Sequence, residues 1–197
     1  MNYIPVDKKL KVAQYVEKKF ENIERKFTKQ PYINHLYGVA ELAHSFDIYY
    51  GYEIGLLHDL YEDTDTKPHE TIEFLHSIGY SKIDASFISD VVFNLTKTYT
   101  GKQWKKFDSV KLTQLETERI LHSNEITQSI KYCDIIDNIK SNIQYDKIME
   151  DKFNYRIFLK KYLPLKKLQL DMMDKGNQKL RNIAYKHLNK NYKYFEL

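Results

Sequence analysis

The chain has 197 residues, of which 42% are hydrophobic and 29% charged, a balance that excludes wholesale disorder and lets one domain bury a sizeable core. A net charge of +4 is compatible with an anionic ligand but far from a dedicated nucleic-acid face, so no nucleic-acid partner is expected. The lone cysteine, Cys133, excludes an internal disulfide and fits a reducing compartment. The charged start MNYIPVDKKLKVAQ lacks the apolar segment of a signal peptide, and no window approaches the roughly 18 apolar residues of a membrane span. A cytoplasmic protein without membrane contact is expected.

Six glycines and four prolines are too few to punctuate strands and hairpins, which predicts long helices and an all-α fold. Leu10, Ala13, Val16, Phe20, Ile23 and Phe27 recur at three and four, predicting an amphipathic helix over 6–27 that ends before Pro31. Leu36, Val39, Ala40, Ala43 and Phe46 predict a second over 33–50, and the nearly all-apolar stretch 52–62 a short third that should be central. Pro68 suits a first helical position and Gly79 a stop, so a fourth helix spans 68–78. Ser81 with Asp84 three residues on marks the start of a fifth over 81–96. Residues 99–112, YTGKQWKKFDSVKL, form the most basic and least regular stretch and are read as a loop. Helices return at 113–121, 125–145, 152–173 and 177–188. The sum is one domain of roughly eight to nine helices, with no strand and no boundary.

Within the third helix, GLLHDLYEDT sets His58 beside Asp59, then Glu62 beside Asp63. Consecutive helical residues stand about 100° apart, so both His58 and Asp59 can reach an ion set against a helix end. Imidazole and carboxylate suit Mn, Fe or Zn. Two ligands are too few, and the further candidates are His35 and Asp134. Asp134 interrupts the apolar run SIKYCDIIDNI on a face shared with Ile130, Cys133 and either Ile136 or Asp137. A carboxylate turned inward is costly unless a cation or partner meets it. Asn138 lies one turn later on the same face. Two acids at a helix C-terminus oppose its dipole, which hints at a use for Glu62 and Asp63. His44, His69, His76, His122 and His187 have no partner pattern and are read as surface or satisfied core residues.

The ordered set His35, His58-Asp59 and Asp134 resembles the metal signature of the HD-domain phosphohydrolases, an all-α superfamily. Arg25-Lys26, PYINH at 31–35, Gly38-Val39-Ala40, LLHDLYEDT at 56–64, LTK at 95–97, and Asp134 with Asn138 narrow the likeness. Together they are similar to the guanosine tetraphosphate (ppGpp) hydrolase branch, comprising RelA/SpoT hydrolase domains and stand-alone small alarmone hydrolases. The matching part covers about 25–142, with packing helices over 150–190 and no synthetase domain, in one HD-type domain of residues 1–197. Leu36 stands where the family usually has proline, and Lys140 where arginine is common.

The resemblance implies a divalent ion, Mn²⁺ or another, held by His35, His58, Asp59 and Asp134. It gives Glu62 and Asp63 the activation of water, and Arg25, Lys26 and Asn138 contacts to a nucleotide substrate. The implied reaction releases pyrophosphate from the 3′ position of ppGpp or pppGpp, leaving GDP or GTP. A late aromatic, Tyr155 or Tyr162, would meet the ligand. Lys97, Lys102, Lys105 and Lys106 would steer a highly charged nucleotide, against the plainer reading of a solvated basic loop. The alternatives are an HD-type phosphohydrolase for NADPH, a dNTP or a modified nucleotide, and a nucleotide sensor without turnover.

Overall fold

The computed structural model describes residues 6–99 and 107–197. Among the described residues there are eleven helices and no strand, the only extended pairing being an isolated antiparallel bridge between Glu24 and Pro31. The fold is all-α, as the sequence predicts. Lys102, Lys105 and Lys106 lie outside the described residues. No helix among the described residues is long and apolar enough to cross a membrane. The backbone forms two compact units, Met1–Arg25 with Gln30–Thr96, and Lys26–Lys29 with Lys97–Leu197.

The first unit holds α1 (Val6–Lys19), α2 (Ile33–Ser45), α3 (Gly51–Leu57), α4 (Leu60–Asp63), α5 (Pro68–Ser77) and α6 (Lys82–Leu95). Helix α1 is shorter than the predicted 6–27. Its apolar rhythm runs on through Ile23 and Phe27, but the backbone leaves the helix, with Tyr32 N–H donating to Ile23 O at 2.8 Å and Arg25 N–H to Gln30 O at 2.9 Å. Its buried face is Val12, Ala13 and Val16, with Phe20 buried just beyond its end, while Leu10 is 54% exposed, contrary to the predicted stripe. Helix α2 stops at Ser45 rather than near 50, because Asp47 and Tyr50 take positive φ of 53° and 51° and turn the chain. Helix α3 is as central as predicted: Ile54, Leu56 and Leu57, with Leu60 just beyond, have no exposed surface. Each such side chain contributes on the order of 1.5–3 kcal/mol. Pro68 opens α5, Gly79 at φ 97° closes it, and Ser81 Oγ caps α6 by accepting Asp84 N–H at 3.0 Å.

The second unit holds α7 (Ser109–Leu121), α8 (Glu125–Lys140), α9 (Asn142–Ile148), α10 (Lys152–Met172) and α11 (Gln178–Phe195). Helix α7 starts four residues before the predicted 113, capped by Asp108 accepting Lys111 N–H at 2.8 Å, so part of the expected loop is helical. The predicted helix 125–145 is two, α8 and α9, with the break at Ser141. Helix α8 is buried from Thr127 to Ile139 except at Lys131 and Asn138. The α10–α11 turn is fastened to it: Tyr132 Oη donates to Met173 O at 2.9 Å, Gln128 Oε1 accepts Lys175 N–H at 2.9 Å, and Ser129 Oγ accepts Asn177 N–H at 2.9 Å. Phe27 packs on Tyr155 and Phe158 at ring separations of 5.4 and 4.8 Å, which explains its apolar character without a helix.

Candidate metal centre

The loop before α2 and the break after α3 place the donors. Tyr32 closes the 20–32 excursion, so α2 begins at a defined point, and its third residue, His35, is 1% exposed. The predicted helix 52–62 breaks at Asp59. His58 is helical, but Asp59 adopts φ −103° and ψ 5°, in the bridge region between helix and strand, and α4 restarts at Leu60. The break lets consecutive side chains converge that an unbroken helix would splay.

His35, His58 and Asp59 each offer a ligand atom lying within 4.8 Å of the other two. Asp59 Oδ2 stands 3.0 Å from His58 Nε2 and 3.7 Å from His35 Nε2. The two imidazoles meet edge to face at 5.1 Å. His58 Nδ1 is 2.7 Å from Gly55 O, a carbonyl that can only accept, so Nδ1 carries a proton and the neutral ring turns its Nε2 lone pair toward the Asp59 carboxylate. Such a nitrogen and a carboxylate oxygen 3.0 Å apart repel unless a proton or a cation lies between them. Donors bound about 2.1 Å from one ion stand roughly 3–3.4 Å from each other, a spacing close to that found here. A buried pair of imidazoles with one carboxylate, its histidine proton turned away by a backbone carbonyl, fits a divalent transition ion.

Gly55 makes this convergence sterically feasible. A Cβ built there would fall 2.5 Å from Ala40 Cα and 2.7 Å from Ala40 N, both backbone atoms, so α2 and α3 touch main chain to main chain. Gly55→Ala is expected to destabilise the protein by about 2–3 kcal/mol through overpacking. Because the two helices carry His35 and His58, divalent-ion affinity should fall as well. Thermal melts with and without Mn²⁺ check both effects.

Glu62 and Asp63 form half of the single-turn α4, their amides donating to Asp59 O at 3.2 and 3.0 Å. Glu62 is half-buried and Asp63 exposed. In a four-residue helix the first and last turns coincide, so the predicted opposition to a helix dipole vanishes. Arg25 and Lys26 lie in the loop after α1 rather than at a helix end. Arg25 is half-buried, and Lys26 is exposed with Nζ 5.5 Å from the Phe27 ring centre.

In the second unit Asp134 is 5% exposed, turned inward as its apolar surroundings suggest. Lys131 Nζ lies 2.6 Å from its Oδ2, and Asn138 Nδ2 donates to its Oδ1, placing Asn138 on the predicted shared face. Tyr155 is 3% exposed and donates to Asn142 Oδ1 at 2.9 Å, a packing role. Tyr162 lines a cleft of about 220 Å³ with Lys97, Leu112 and Lys166, and Lys166 Nζ stands 4.9 Å above its ring. Sequence reasoning missed Tyr32, Gly55 and Lys131. Tyr32 and Gly55 sit inside quoted motifs, but their roles need a partner helix to be seen.

No protein-family model matches the chain, and no curated protein sequence matches it significantly. Among solved structures, a metazoan ortholog of SpoT that hydrolyzes ppGpp and plays a role in starvation responses superposes with a TM-score of 0.71. The match is 19% identical and covers 96% of this chain and 98% of that one. The chain therefore has the all-α fold of that protein.

Proposed function

We propose that the protein is a Mn²⁺-dependent hydrolase of guanosine tetra- and pentaphosphate that removes the 3′-pyrophosphate. The observation that carries the proposal is the buried convergence of His35, His58 and Asp59, in a fold shared over nearly its whole length with a protein that hydrolyzes ppGpp. We take residues 1–197 as one catalytic domain, cytoplasmic, acting on a nucleotide and not on nucleic acid.

His35, His58 and Asp59 would hold the ion, and Asp134 is proposed as a fourth ligand on the strength of the ordered motif. A divalent cation supplies Lewis acidity, acidifying water and polarising a phosphoryl oxygen. Glu62 and Asp63, one turn beyond Asp59, accept the proton that the attacking water loses. The water oxygen bonds to the phosphorus attached to the ribose 3′ oxygen, and the bond from that phosphorus to the 3′ oxygen breaks. The 3′ oxygen takes up a proton, so ppGpp and water give GDP and pyrophosphate, while pppGpp gives GTP. Asn138, bonded to Asp134, aligns that carboxylate or meets the ribose.

Arg25 and Lys26 are assigned to the guanine base or the phosphates, since a guanidinium can stack on a ring and pair with an anion. Arg25→Ala should raise KM about tenfold or more while leaving kcat nearly unchanged, the loss of one charge-assisted contact made equally in ground and transition states. Steady-state kinetics separate the two constants, and an unaltered KM would return Arg25 to the ordinary surface.

The direct test is a product assay on the Mn²⁺-loaded protein with ppGpp, NADPH and a set of dNTPs. Release of pyrophosphate and GDP from ppGpp is expected. Preferential turnover of NADPH or a dNTP would move the substrate elsewhere within the same chemistry. Binding of ppGpp with no turnover of any of them would make the protein a sensor.

A further inference from the structure

We propose that Tyr32 is a positioning residue of the metal centre, its phenol fixing the Asp59 carboxylate so that Asp59, His35 and His58 close on a divalent cation. The inference rests on the assignment of those three residues to a metal site.

Tyr32 Oη donates to Asp59 Oδ2 at 2.7 Å across 27 residues of sequence. The same oxygen lies 3.0 Å from His58 Nε2 and 3.7 Å from His35 Nε2. The phenol thus touches the prospective ligand atom itself. A carboxylate oxygen accepts along two lone pairs, so a hydrogen bond on one leaves the other for a cation.

The tyrosine is held independently of the carboxylate it touches. Its ring stacks on Phe20 at 5.7 Å with 12° between planes and meets His35 edge-on at 5.5 Å. Its amide donates to Ile23 O at 2.8 Å, and its carbonyl accepts from His35 N–H at 2.9 Å. Asp59 needs such help most of the three donors. His58 is oriented by Gly55 O and His35 is 1% exposed, whereas the Asp59 side chain is 18% exposed and sits at the helix break. Hydrogen bonds to ligating carboxylates from outside the ligand set commonly govern affinity by this means.

Tyr32→Phe keeps the ring and its stacking and removes only the hydroxyl. Mn²⁺ affinity measured by calorimetric titration should weaken about 10- to 100-fold, with the metal-free Tm close to that of the parent. Tyr32→Leu, which removes the ring as well, should lower the metal-free Tm too. If Tyr32→Phe binds Mn²⁺ as tightly as the parent while His58→Ala abolishes binding, the metal centre stands and the role of Tyr32 falls. A loss of affinity matched by a loss of metal-free stability assigns the hydroxyl to packing and overturns the proposal. A parent protein that binds no divalent cation removes both proposals together.

Discussion

His58→Ala should abolish divalent-ion binding and reduce hydrolysis to background. The substitution removes the donor whose lone pair is best defined, since Gly55 O holds the ring proton at Nδ1. It leaves His35 Nε2 and Asp59 Oδ2, 3.7 Å apart, as the remaining members of the cluster in the first unit. The expected loss in kcat/KM is about 10³-fold or more, because an ion brings the pKa of bound water down to about 7 and that assistance goes with it. Chelation of the parent protein should reproduce the loss, and added Mn²⁺ should restore the parent but not the variant. Stability supplies a readout separate from activity. An ion that binds only the folded state stabilises it by about 2.7 kcal/mol at a hundredfold excess over Kd, so the parent Tm should rise with Mn²⁺ while that of His58→Ala stays level. A variant that keeps both its ion and its turnover would dismantle the proposed centre.

Glu62→Gln and Asp63→Asn should do the reverse, sparing the ion and removing the chemistry. Neither carboxylate belongs to the three-residue cluster, and α4 is one turn whose backbone bonds run to Asp59 O and Leu60 O whatever the side chains. Metal content, metal-free Tm and the Mn²⁺-induced rise in Tm are therefore expected to match the parent. Turnover should fall about 10²- to 10⁴-fold for whichever residue takes the proton, the usual size of a general-base contribution. Half-burial marks Glu62 as the stronger candidate, because a base partly withdrawn from water keeps its orientation better than the exposed Asp63. Metal analysis beside single-turnover kinetics distinguishes this result from loss of the ion. Retention of parent rates by both variants would exclude the pair from catalysis.

The helices themselves were legible in the sequence because their signals are local. Pro68, Gly79 and the Ser81 cap act within a few residues, and the observed helices begin and end beside them. Periodicity failed where a turn kept the rhythm. Ile23 and Phe27 continue the spacing of α1, yet the backbone there bonds to 30–32, and a hydrophobic pattern cannot report that its own backbone has left the helix. The same blindness joined α3 to α4, and α8 to α9.

Residue type and order were enough to nominate His35, His58, Asp59 and Asp134, because inward-facing polar groups among apolar neighbours call for a cation or a partner and because their order resembles a known metal signature. That His35, His58 and Asp59 lie together is a matter of tertiary structure alone. It depends on the bridge-region backbone of Asp59, on the contact that Gly55 permits with Ala40, and on the reach of Tyr32 across 27 residues. Sequence spacing carries the chemistry of each side chain, but the distance between two of them is set by how their helices cross. That crossing is decided by packing between segments far apart in the chain.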